Sequence, residues 1–474
     1  MKFVGREDYF RWLDEQYSRV SESQGRFLAL RGRRQVGKSR LVTEWLSRRV
    51  PPYIYYQALD RPLDQELASF AGAVARSNIG PLSEVVASGV VWPSWEAAFD
   101  IVSAAGAGGP LGNRPAVVVL DELPYLVAND SGFEGTLQAA WDHKFQHTGV
   151  MLIVVGSDLA MMEALTGYGR PLYQRAIPKS VEPLNPAEVA DLLGCDATDA
   201  LDNYLMVGGL PKVVAARAEH SSRARFLAAA TSDEAHPLVF TGSQMLNAEF
   251  PPQHAPRKVL EAIGAGERAF TTIRTRAAVS QRTLANALDL LATKHVISRE
   301  DPRSARPISN RTRYVVADPY LRFWLRFLAT RDTDIARGRG DLVAADIESS
   351  WQSYTGAAIE PVVRAAIDRI LPDRRFGASR YVGSYWTRDH QTEVDLVGTE
   401  QDRGSRRVEF VGSVKWRTRK SFGTDDVTAL AASALEVPGW ETTSLKVGVS
   451  RTGFTKDVAL DVMLDPEDVL AAWQ

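Results

Sequence analysis

The chain contains little cysteine and little histidine. Its 474 residues include one cysteine, Cys195, so the sequence excludes an intrachain disulfide and any cysteine-rich metal site. The seven histidines form no metal-ligand pattern, and single ones such as His143 and His147 are typical of a helix surface.

Long hydrophobic runs are also missing. No apolar stretch approaches the roughly 18 residues of a membrane span. Met1–Trp12 carries charged residues where a signal peptide needs an apolar core. We therefore expect a cytoplasmic protein without membrane contact. The composition, 45% hydrophobic and 24% charged, is ordinary for a globular chain, and the length predicts about three domains.

The segment RFLALRGRRQVGKSRLVTEWL has the features of a phosphate-binding loop. An apolar strand at 27–30 turns at Gly32, and a helical pattern begins at Lys38. In the motif Gly32-x-x-x-x-Gly37-Lys38-Ser39 the glycines let the backbone wrap an anion, and the next helix presents its amino-terminal N–H groups. We expect Lys38 to contact the β- and γ-phosphates of ATP and Ser39 to bind Mg²⁺.

A second strand supplies the acids that such a site needs. In PAVVVLDELPYL the apolar run 117–120 is followed by Asp121 and Glu122. We expect Asp121 to hold Mg²⁺ and Glu122 to orient the attacking water as a general base, so the pair favours hydrolysis over binding alone. A third apolar strand ends at Ser157. Contact of Ser157 with the γ-phosphate and a purely structural role both stay open.

Several motifs in a fixed order resemble a known family. FVGRE at 3–7, GRRQVGKSRL, LDELPYL, GSD with a downstream RPLYQR, and VGGLPKVV are together similar to the archaeal-type ATPases. This family belongs to the signal-transducing branch of the AAA-like P-loop NTPases and also occurs in bacteria. The resemblance covers residues 2–214. It therefore implies a sheet in which the strand before the phosphate loop has neighbours on both sides.

The same resemblance implies roles for residues outside the phosphate loop. Adenine is expected to pack near the turn of Gly5 and Arg6, and residues 208–211 are expected to lie in a small helical lid. Arg170 and Arg175 flank PLYQ. Both are candidates to contact a γ-phosphate in their own chain or in a neighbouring one. A solvated basic turn is the alternative interpretation of these two arginines.

After Pro251 the pattern changes to short helices. Ser280 is placed to cap a helix whose Leu284, Leu288 and Leu291 face inward. The order helix, helix, turn, helix and returning strand predicts a winged helix-turn-helix.

The predicted winged helix contains a local excess of positive charge. The whole chain has a net charge of −2, which predicts no general attraction to nucleic acid. Within 268–313, however, ten basic residues stand against three acidic ones, a balance of +7. This basic segment predicts contact with the DNA backbone. The side chains expected at the DNA are Arg274, Arg276, Gln281 and Arg282. A protein-binding winged helix with a solvated basic face is the alternative.

The carboxyl-terminal third extends the resemblance. In archaeal-type ATPases a winged helix is often followed by an element like DPYLRFW, found here at 318–324, and by a domain of unknown function that resembles the restriction-endonuclease fold. Three residues match the nuclease pattern, namely Glu360, Asp395 in EVDLVG and Lys415 in GSVKW. The departure is Ser413, which stands where that pattern has a glutamate.

Ser413 bears directly on nuclease activity. A serine hydroxyl is neutral, so it neither offsets the charge of a metal nor readily helps to deprotonate a bound water. Glu409 lies about 13 Å from Ser413 along the strand and cannot replace the missing carboxylate. The sequence therefore favours an inactive nuclease-like domain, and an active ATP-regulated DNA nuclease is the alternative.

Taken in order, these patterns predict four units of an α/β protein. They are a P-loop ATPase core at 1–180, a helical lid at 181–252, a winged helix-turn-helix at 253–316 and a restriction-endonuclease-like α/β domain at 317–474. The predicted function is that of an ATP-hydrolysing switch or motor that acts on DNA, with ATP and Mg²⁺ as cofactors. A nucleotide-gated scaffold for protein partners stays open, and so does a homo-oligomer.

Overall fold

The computed structural model describes residues 3, 5–87, 89, 92–106, 114–308, 311–389 and 391–474. The chain divides into two compact units, Met1–Pro183 and Leu184–Gln474. The four narrower domain boundaries stay a prediction. Within the described ranges, no helix is both long and apolar enough to cross a membrane.

The first unit contains a five-stranded parallel sheet with the strand order β2-β3-β4-β1-β5. The strand before the phosphate loop, β1, pairs with β4 on one side and β5 on the other, so it lies inside the sheet. The strand bounds are β1 Arg26–Arg31, β2 Tyr53–Gln57, β3 Ala116–Asp121, β4 Val150–Gly156 and β5 Ile177–Ser180.

The central strands of this sheet are buried from end to end. All residues of β3 and β4 are buried, as is typical of a parallel sheet covered by helices on both faces. The α/β class predicted for this part is confirmed. The helices of the first unit are α1 Glu7–Ser18, α2 Lys38–Arg49, α3 Leu63–Ala75, α4 Gly80–Ala87, α5 Trp95–Gly106, α6 Leu123–Asn129, α7 Phe133–His143 and α8 Leu159–Leu165.

The second unit begins with helices in the segment where the sequence predicts a lid. Gly208 has a φ of 57°, and a Cβ there would lie 2.7 Å from the Cβ of Tyr320, so the turn needs glycine both for its backbone and for its space. The helices are α9 Pro186–Leu193, α10 Ala197–Val207, α11 Pro211–Ala218, α12 Arg223–Thr231 and α13 Pro237–Glu249.

Three helices and a two-stranded antiparallel sheet follow, in the element order of a winged helix-turn-helix. The Ser280 side chain accepts a hydrogen bond from the backbone N–H of Thr283, and Leu284, Leu288 and Leu291 are buried. The helix therefore begins and packs as its sequence predicts. The bounds are α14 Ala255–Gly264, α15 Phe270–Ala277, α16 Gln281–Thr293, β6 Ile297–Glu300 and β7 Arg313–Val316.

The rest of the chain consists of a second five-stranded sheet, with the order β12-β11-β10-β9-β8, and the helices that accompany it. Strands β8, β9 and β10 are antiparallel neighbours, whereas β10, β11 and β12 run parallel. The predicted carboxyl-terminal α/β fold is confirmed. Its strands are β8 Tyr381–Trp386, β9 Glu393–Thr399, β10 Val408–Lys415, β11 Leu445–Ser450 and β12 Val462–Leu464, and its helices are α17 Pro319–Phe327, α18 Asp332–Ala336, α19 Gly340–Ala358, α20 Glu360–Ile370, α21 Thr424–Ala434 and α22 Pro466–Ala471.

Candidate functional site

The predicted phosphate loop connects β1 to α2 at the carboxyl edge of the first sheet. Gly37 has a φ of 92°, a conformation that a side chain would strain. A Cβ at Gly32 would lie 2.4 Å from the carbonyl oxygen of Val181. The backbone of this turn therefore needs both glycines of the motif.

Lys38 begins α2 and lies inside the loop. Its Nζ donates to the carbonyl oxygens of Gly32 at 2.8 Å and Arg33 at 2.9 Å. The residue is 5% exposed. Burial lowers the pKa of Lys38 to about 8, against the opposing effect of the Glu122 and Asp121 carboxylates. The loop thus holds the ammonium group at the point where an anion would be wrapped.

Ser39 and Asp121 meet at a tyrosine. The Tyr55 hydroxyl of β2 donates to Oδ2 of the buried Asp121 at 2.5 Å and is also hydrogen-bonded to Ser39. Burial and the Asp121 carboxylate raise the pKa of Tyr55, so its hydroxyl stays protonated. The two residues predicted to hold Mg²⁺ therefore lie within two hydrogen bonds of each other.

This arrangement fits a magnesium ion. Mg²⁺ prefers oxygen ligands and keeps several waters, so one hydroxyl and one nearby carboxylate are a suitable protein contribution. In the described ranges, no group of three or more His, Cys, Asp or Glu side chains is arranged to hold a metal ion. The oxygens of Ser39 and Asp121 are suitable ligands for the predicted Mg²⁺.

Sequence reasoning missed Tyr55. Strand β2 runs beside β3 with Gln57 opposite Asp121, and side chains two residues apart share a face of the sheet. Tyr55 therefore faces the same side as Asp121. This signal depends on which strand neighbours β3, and the local pattern of YIYYQ does not contain that information.

Tyr55→Phe tests this contact. The variant keeps the ring but removes the hydroxyl that links Ser39 to Asp121, so both side chains lose a positioning hydrogen bond. Loss of such an outer contact typically weakens metal binding about 10- to 100-fold. We expect the Mg²⁺ concentration for half-maximal ATP turnover to rise by about that factor. Tyr53→Phe on the same strand is the matched control. An unchanged Mg²⁺ requirement in Tyr55→Phe would show that the hydroxyl does not position the metal ligands.

Glu122 and Ser157 contact each other. The Ser157 Oγ donates to Glu122 Oε2 at 2.8 Å, and the Glu122 N–H donates to Asp121 Oδ1 at 2.9 Å. Glu122 has a φ of 56°, which is uncommon for a residue with a side chain. These contacts fix the direction of the Glu122 carboxylate. A contact of Ser157 with the γ-phosphate stays a prediction.

The amino-terminal turn contacts the phosphate loop. Gly5 and Arg6 both have left-handed backbone conformations, with φ values of 74° and 71°. The buried Arg6 guanidinium donates to the carbonyl oxygen of Val36 at 3.2 Å. The structure thus brings Arg6 to the loop, and packing of adenine there stays a prediction. Val4 of the FVGRE motif lies outside the described residues.

Carboxylates hold the two arginines that were predicted to contact a γ-phosphate. Arg175 donates to both carboxylate oxygens of Asp142, at 2.7 and 2.8 Å, and Arg170 donates to both oxygens of Glu134. Hydrogen bonding between Arg175 and Asp142 raises the pKa of the arginine and lowers that of the aspartate. The side-chain contacts of Arg175 are with Asp142 and two backbone carbonyls, not with the loop. Its role at a phosphate stays a prediction.

The charge of the basic segment 268–313 is smaller in the folded chain than its sequence suggests. Arg299 pairs within the segment with Asp289. Acids outside the segment neutralise four of the ten basic side chains, in the pairs Arg276–Glu267, Lys294–Glu249, Arg303–Asp402 and Arg313–Glu393. A nucleic acid would therefore meet much less than the +7 counted along the chain.

The connection between β6 and β7 packs against the second sheet. Ala305 is buried in a hydrophobic cluster with Tyr385 and Val394, and its N–H donates to the carbonyl oxygen of Pro438 at 3.0 Å. Nearby, the Arg303 guanidinium binds Asp402. The described part of this predicted wing is thus used for packing, which leaves the helices as the candidate DNA surface.

Four predicted DNA contacts remain on the surface of these helices. Arg274, Arg276, Gln281 and Arg282 are all exposed. Arg276 lies 3.5 Å from Glu267, whereas Arg274 and Arg282 have no ion pair among the described residues. The structure therefore keeps a compact basic surface at α15 and the start of α16.

The nuclease-like residues gather where β9 and β10 run side by side. The Ser413 Oγ and the Val414 N–H donate to Asp395 Oδ2 at 3.0 and 2.7 Å. Burial raises the pKa of Asp395, and the positive charge of Lys415 opposes this shift. Burial also raises the pKa of Glu360 to about 7, with a further contribution from the Asp395 charge. Ser413 therefore supplies a hydrogen bond to Asp395 where the nuclease pattern has a carboxylate.

Two other glutamates of strands β9 and β10 form ion pairs with arginines. Glu393 binds Arg313 at 2.6 Å. Glu409 binds Arg407 at 2.9 Å, and the register of β10 against β9 shifts between Val408 and Phe410. Asp395 makes no ion pair with an arginine among the described residues, whereas Glu360 lies 3.6 Å from Arg364.

Comparison with known proteins supports the predicted resemblance. Residues 324–427 match the DUF234 family, described as "Archaea bacterial proteins of unknown function". An uncharacterized protein of Methanocaldococcus jannaschii is 23% identical over 426 residues, which is 88% of each chain. The family match confirms the domain of unknown function that the resemblance to archaeal-type ATPases implied at the carboxyl-terminal end.

Solved structures show more distant likenesses. A Walker-type ATPase of Pyrococcus abyssi has a TM-score of 0.49 and 20% identity, covering 68% of this chain and 96% of that one. The Aeropyrum pernix ORC2 protein, solved as ADPNP–ADP complexes, has a TM-score of 0.46 and 14% identity, covering 74% and 96%. The Aeropyrum pernix ORC1 protein in complex with DNA has a TM-score of 0.34 and 16% identity, covering 71% and 94%. These likenesses do not assign a function to this chain.

Proposed function

We propose that this protein binds ATP with Mg²⁺, hydrolyses it, and acts as an ATP-dependent switch or motor on DNA. One observation carries the proposal. Lys38, Ser39, Asp121 and Glu122 lie at the carboxyl edge of one parallel sheet, where the Tyr55 hydroxyl donates to Asp121 and the Ser157 hydroxyl donates to Glu122. Charge, hydroxyl and paired acids are thus together at the turn that is shaped to wrap a phosphate.

Each group has a definite task in this proposal. The loop N–H groups and the start of α2 bind the phosphates, and Lys38 moves from the loop carbonyls to the β- and γ-phosphates. Ser39 and, through water, Asp121 hold Mg²⁺, which supplies neutralisation of phosphate charge when it is bound. Glu122, held by Ser157, orients the attacking water and accepts its proton.

DNA contact is proposed through the exposed basic surface at α15 and α16. Backbone contacts release counterions, so the logarithm of the affinity falls by about 0.9 per contact for each decade of salt. We expect a variant with Arg274, Arg276 and Arg282 changed to Ala to bind duplex DNA more weakly and with a salt slope lower by about two to three units. Salt titrations by fluorescence anisotropy measure both effects.

A charge-matched control separates local contact from overall charge. Arg337, Arg339 and Arg419 are exposed and lie outside the basic segment, and changing all three to Ala removes the same charge. We expect this control to keep the wild-type salt slope. Equal losses in both triple variants, or no DNA affinity at low salt, would contradict binding through α15 and α16.

A nucleotide-gated scaffold for protein partners is the second candidate function. The packing of Ala305 and the ion pairs of Arg303 and Arg313 favour it, because they turn part of the basic segment into an internal contact. ATP turnover with and without duplex DNA distinguishes the two functions. Faster ATP turnover with DNA supports the switch or motor, whereas an ATP turnover rate that DNA does not change supports the scaffold.

We also propose that the carboxyl-terminal domain is nuclease-like and does not cleave DNA. The hydrogen bond of Ser413 to Asp395 and the ion pair of Glu393 with Arg313 leave the cluster short of metal-binding carboxylates. We expect no cleavage of plasmid or linear DNA with Mg²⁺ or Mn²⁺, and gain of cleavage in Ser413→Glu. Wild-type cleavage that disappears in Asp395→Ala or Lys415→Ala would overturn this proposal.

A further inference from the structure

A cavity of about 520 Å³ lies inside the second unit, between α14, β7, α17 and the helices α19 and α20. Its volume falls in the range of about 300–1,000 Å³ that is typical of small-molecule sites. Four arginines and two glutamates line it, namely Arg268, Arg322, Arg326, Arg364, Glu300 and Glu360. The cavity is thus both ligand-sized and strongly charged.

The positive charge of this cavity is not neutralised by its own acids. Arg364 forms ion pairs with both glutamates, at 3.3 Å from Glu300 and 3.6 Å from Glu360. Arg322 and Arg326 donate to backbone carbonyls, and the Arg268 side chain makes no hydrogen bond or ion pair among the described residues. Three guanidinium groups of the lining, those of Arg268, Arg322 and Arg326, therefore form no direct ion pair with a carboxylate among the described residues.

Part of the cavity wall is aromatic. The rings of Phe327 and Tyr354 have centroids 5.2 Å apart and cross at 70°. The Tyr354 hydroxyl donates to the carbonyl oxygen of Leu205 at 2.8 Å, so its polar end is already satisfied. Tyr314 lines the same cavity. A flat apolar group could therefore pack on this wall while an anionic group reaches the arginines.

Arg268 and Arg322 are only partly exposed, and a partly buried charge without an ion-pair partner is stabilised by a bound counter-ion. The planar guanidinium group matches the oxygens of a phosphate, and aromatic faces stack on nucleic-acid bases. We propose that this cavity binds a 5′-phosphorylated nucleotide, either free or at the end of a strand. The phosphate lies at Arg268, Arg322 and Arg326, and the base packs against Phe327 and Tyr354.

The proposed ligand would connect separate elements of the second unit. Arg268 belongs to the connection between α14 and α15, Arg326 to α17 and Arg364 to α20. Glu360 lines the cavity, and the charge of Asp395 in the nuclease-like cluster contributes to its raised pKa. A nucleotide in the cavity would thus join the winged-helix elements to the helices that precede the second sheet.

Binding to this cavity must be separated from binding to the phosphate loop. The full chain carrying Lys38→Ala serves as the background, because the loss of Lys38 removes the other nucleotide site. We expect this chain to bind one equivalent of AMP in isothermal titration calorimetry. Adding Arg268→Ala should weaken that binding about tenfold to a hundredfold, because a charge-assisted hydrogen bond is lost. Adding Arg419→Ala, an exposed arginine outside both the cavity and the basic segment, is the matched control and should leave AMP binding unchanged.

The melting temperature of the Arg268→Ala chain and AMP binding by Arg326→Ala provide two further tests of the cavity. The ligand-free melting temperature of the Arg268→Ala chain should match its parent, since Arg268 makes no side-chain bond that the change would remove. Arg326→Ala should also weaken AMP binding. No saturable AMP binding in the Lys38→Ala chain, or equal affinity with and without Arg268, would overturn the proposal. Equal affinity for AMP and inorganic phosphate would overturn the role of the aromatic wall.

Competition distinguishes the two sources of the ligand. A 5′-phosphorylated oligonucleotide that displaces AMP, next to a 5′-hydroxyl one that does not, identifies a strand end as the ligand. AMP binding that neither oligonucleotide displaces identifies a free nucleotide. Displacement by both oligonucleotides alike would contradict recognition of the 5′-phosphate.

Discussion

Glu122→Gln should keep ATP binding close to wild type and lower ATP turnover by about 10²- to 10⁴-fold, the usual contribution of a general base. Glutamine has nearly the size of glutamate, and its carbonyl oxygen can still accept the hydrogen bond from Ser157. It cannot accept a proton from the attacking water. Calorimetry of ATP binding and the rate of phosphate release measure the two effects separately.

Ser157→Ala is the companion to this experiment. The change leaves the Glu122 carboxylate in place but removes the hydrogen bond that directs it. We expect a smaller loss of turnover than in Glu122→Gln, with ATP binding again retained. If Glu122→Gln hydrolyses ATP like the wild type, Glu122 is not the base.

Lys38→Ala should abolish measurable ATP binding at the phosphate loop. Lys38 is the buried cation of the loop, and the loop would then face the triphosphate with its N–H groups alone. We expect the dissociation constant for ATP to rise about a hundredfold or more, since the lost contact joins a full charge to phosphate oxygens. Lys144→Ala, in the same unit, is the control and should bind ATP normally.

Asp121→Asn distinguishes the metal from the phosphate contacts. It should weaken ATP binding in Mg²⁺ and leave binding in EDTA unchanged, because Asp121 is proposed to act through the metal. If the Lys38→Ala chain bound one equivalent of ATP with normal affinity in both Mg²⁺ and EDTA, ATP would bind outside the phosphate loop.

The local motifs of the nucleotide site could be predicted because each lies within a few consecutive residues. The loop glycines, Lys38 and the Asp121–Glu122 pair follow directly from strand, turn and helix patterns. The contacts of Tyr55 and Ser157 could not, because they depend on which strands become neighbours. The strand order of the first sheet is a long-range property that no single window of sequence contains.

The basic segment shows the opposite limit of sequence reasoning. A charge count along 268–313 cannot include acids that meet the segment only after folding. Glu393 and Arg313 are 80 residues apart in sequence, and Asp402 and Arg303 are 99 apart. The count overstated the charge offered to DNA, although the exposed positions Arg274 and Arg282 agree with it.

For Ser413, the structure adds a contact to what the sequence predicts. The sequence identifies it as the departure from a nuclease pattern, since a serine stands where a glutamate is expected. The structure adds that its hydroxyl donates to Asp395, so the carboxylate keeps a partner in the buried cluster. The sequence shows that serine replaces the expected glutamate at position 413. The hydrogen bond from Ser413 to Asp395 could not be predicted, because it depends on the pairing of β9 with β10.

The most direct test of the central claim is the release of inorganic phosphate from ATP by the purified full chain, in Mg²⁺ and in EDTA. We predict steady release that requires Mg²⁺ and is absent in the Lys38→Ala chain. Release no greater than that of the Lys38→Ala chain, both with and without duplex DNA, would contradict the assignment of this site to ATP hydrolysis.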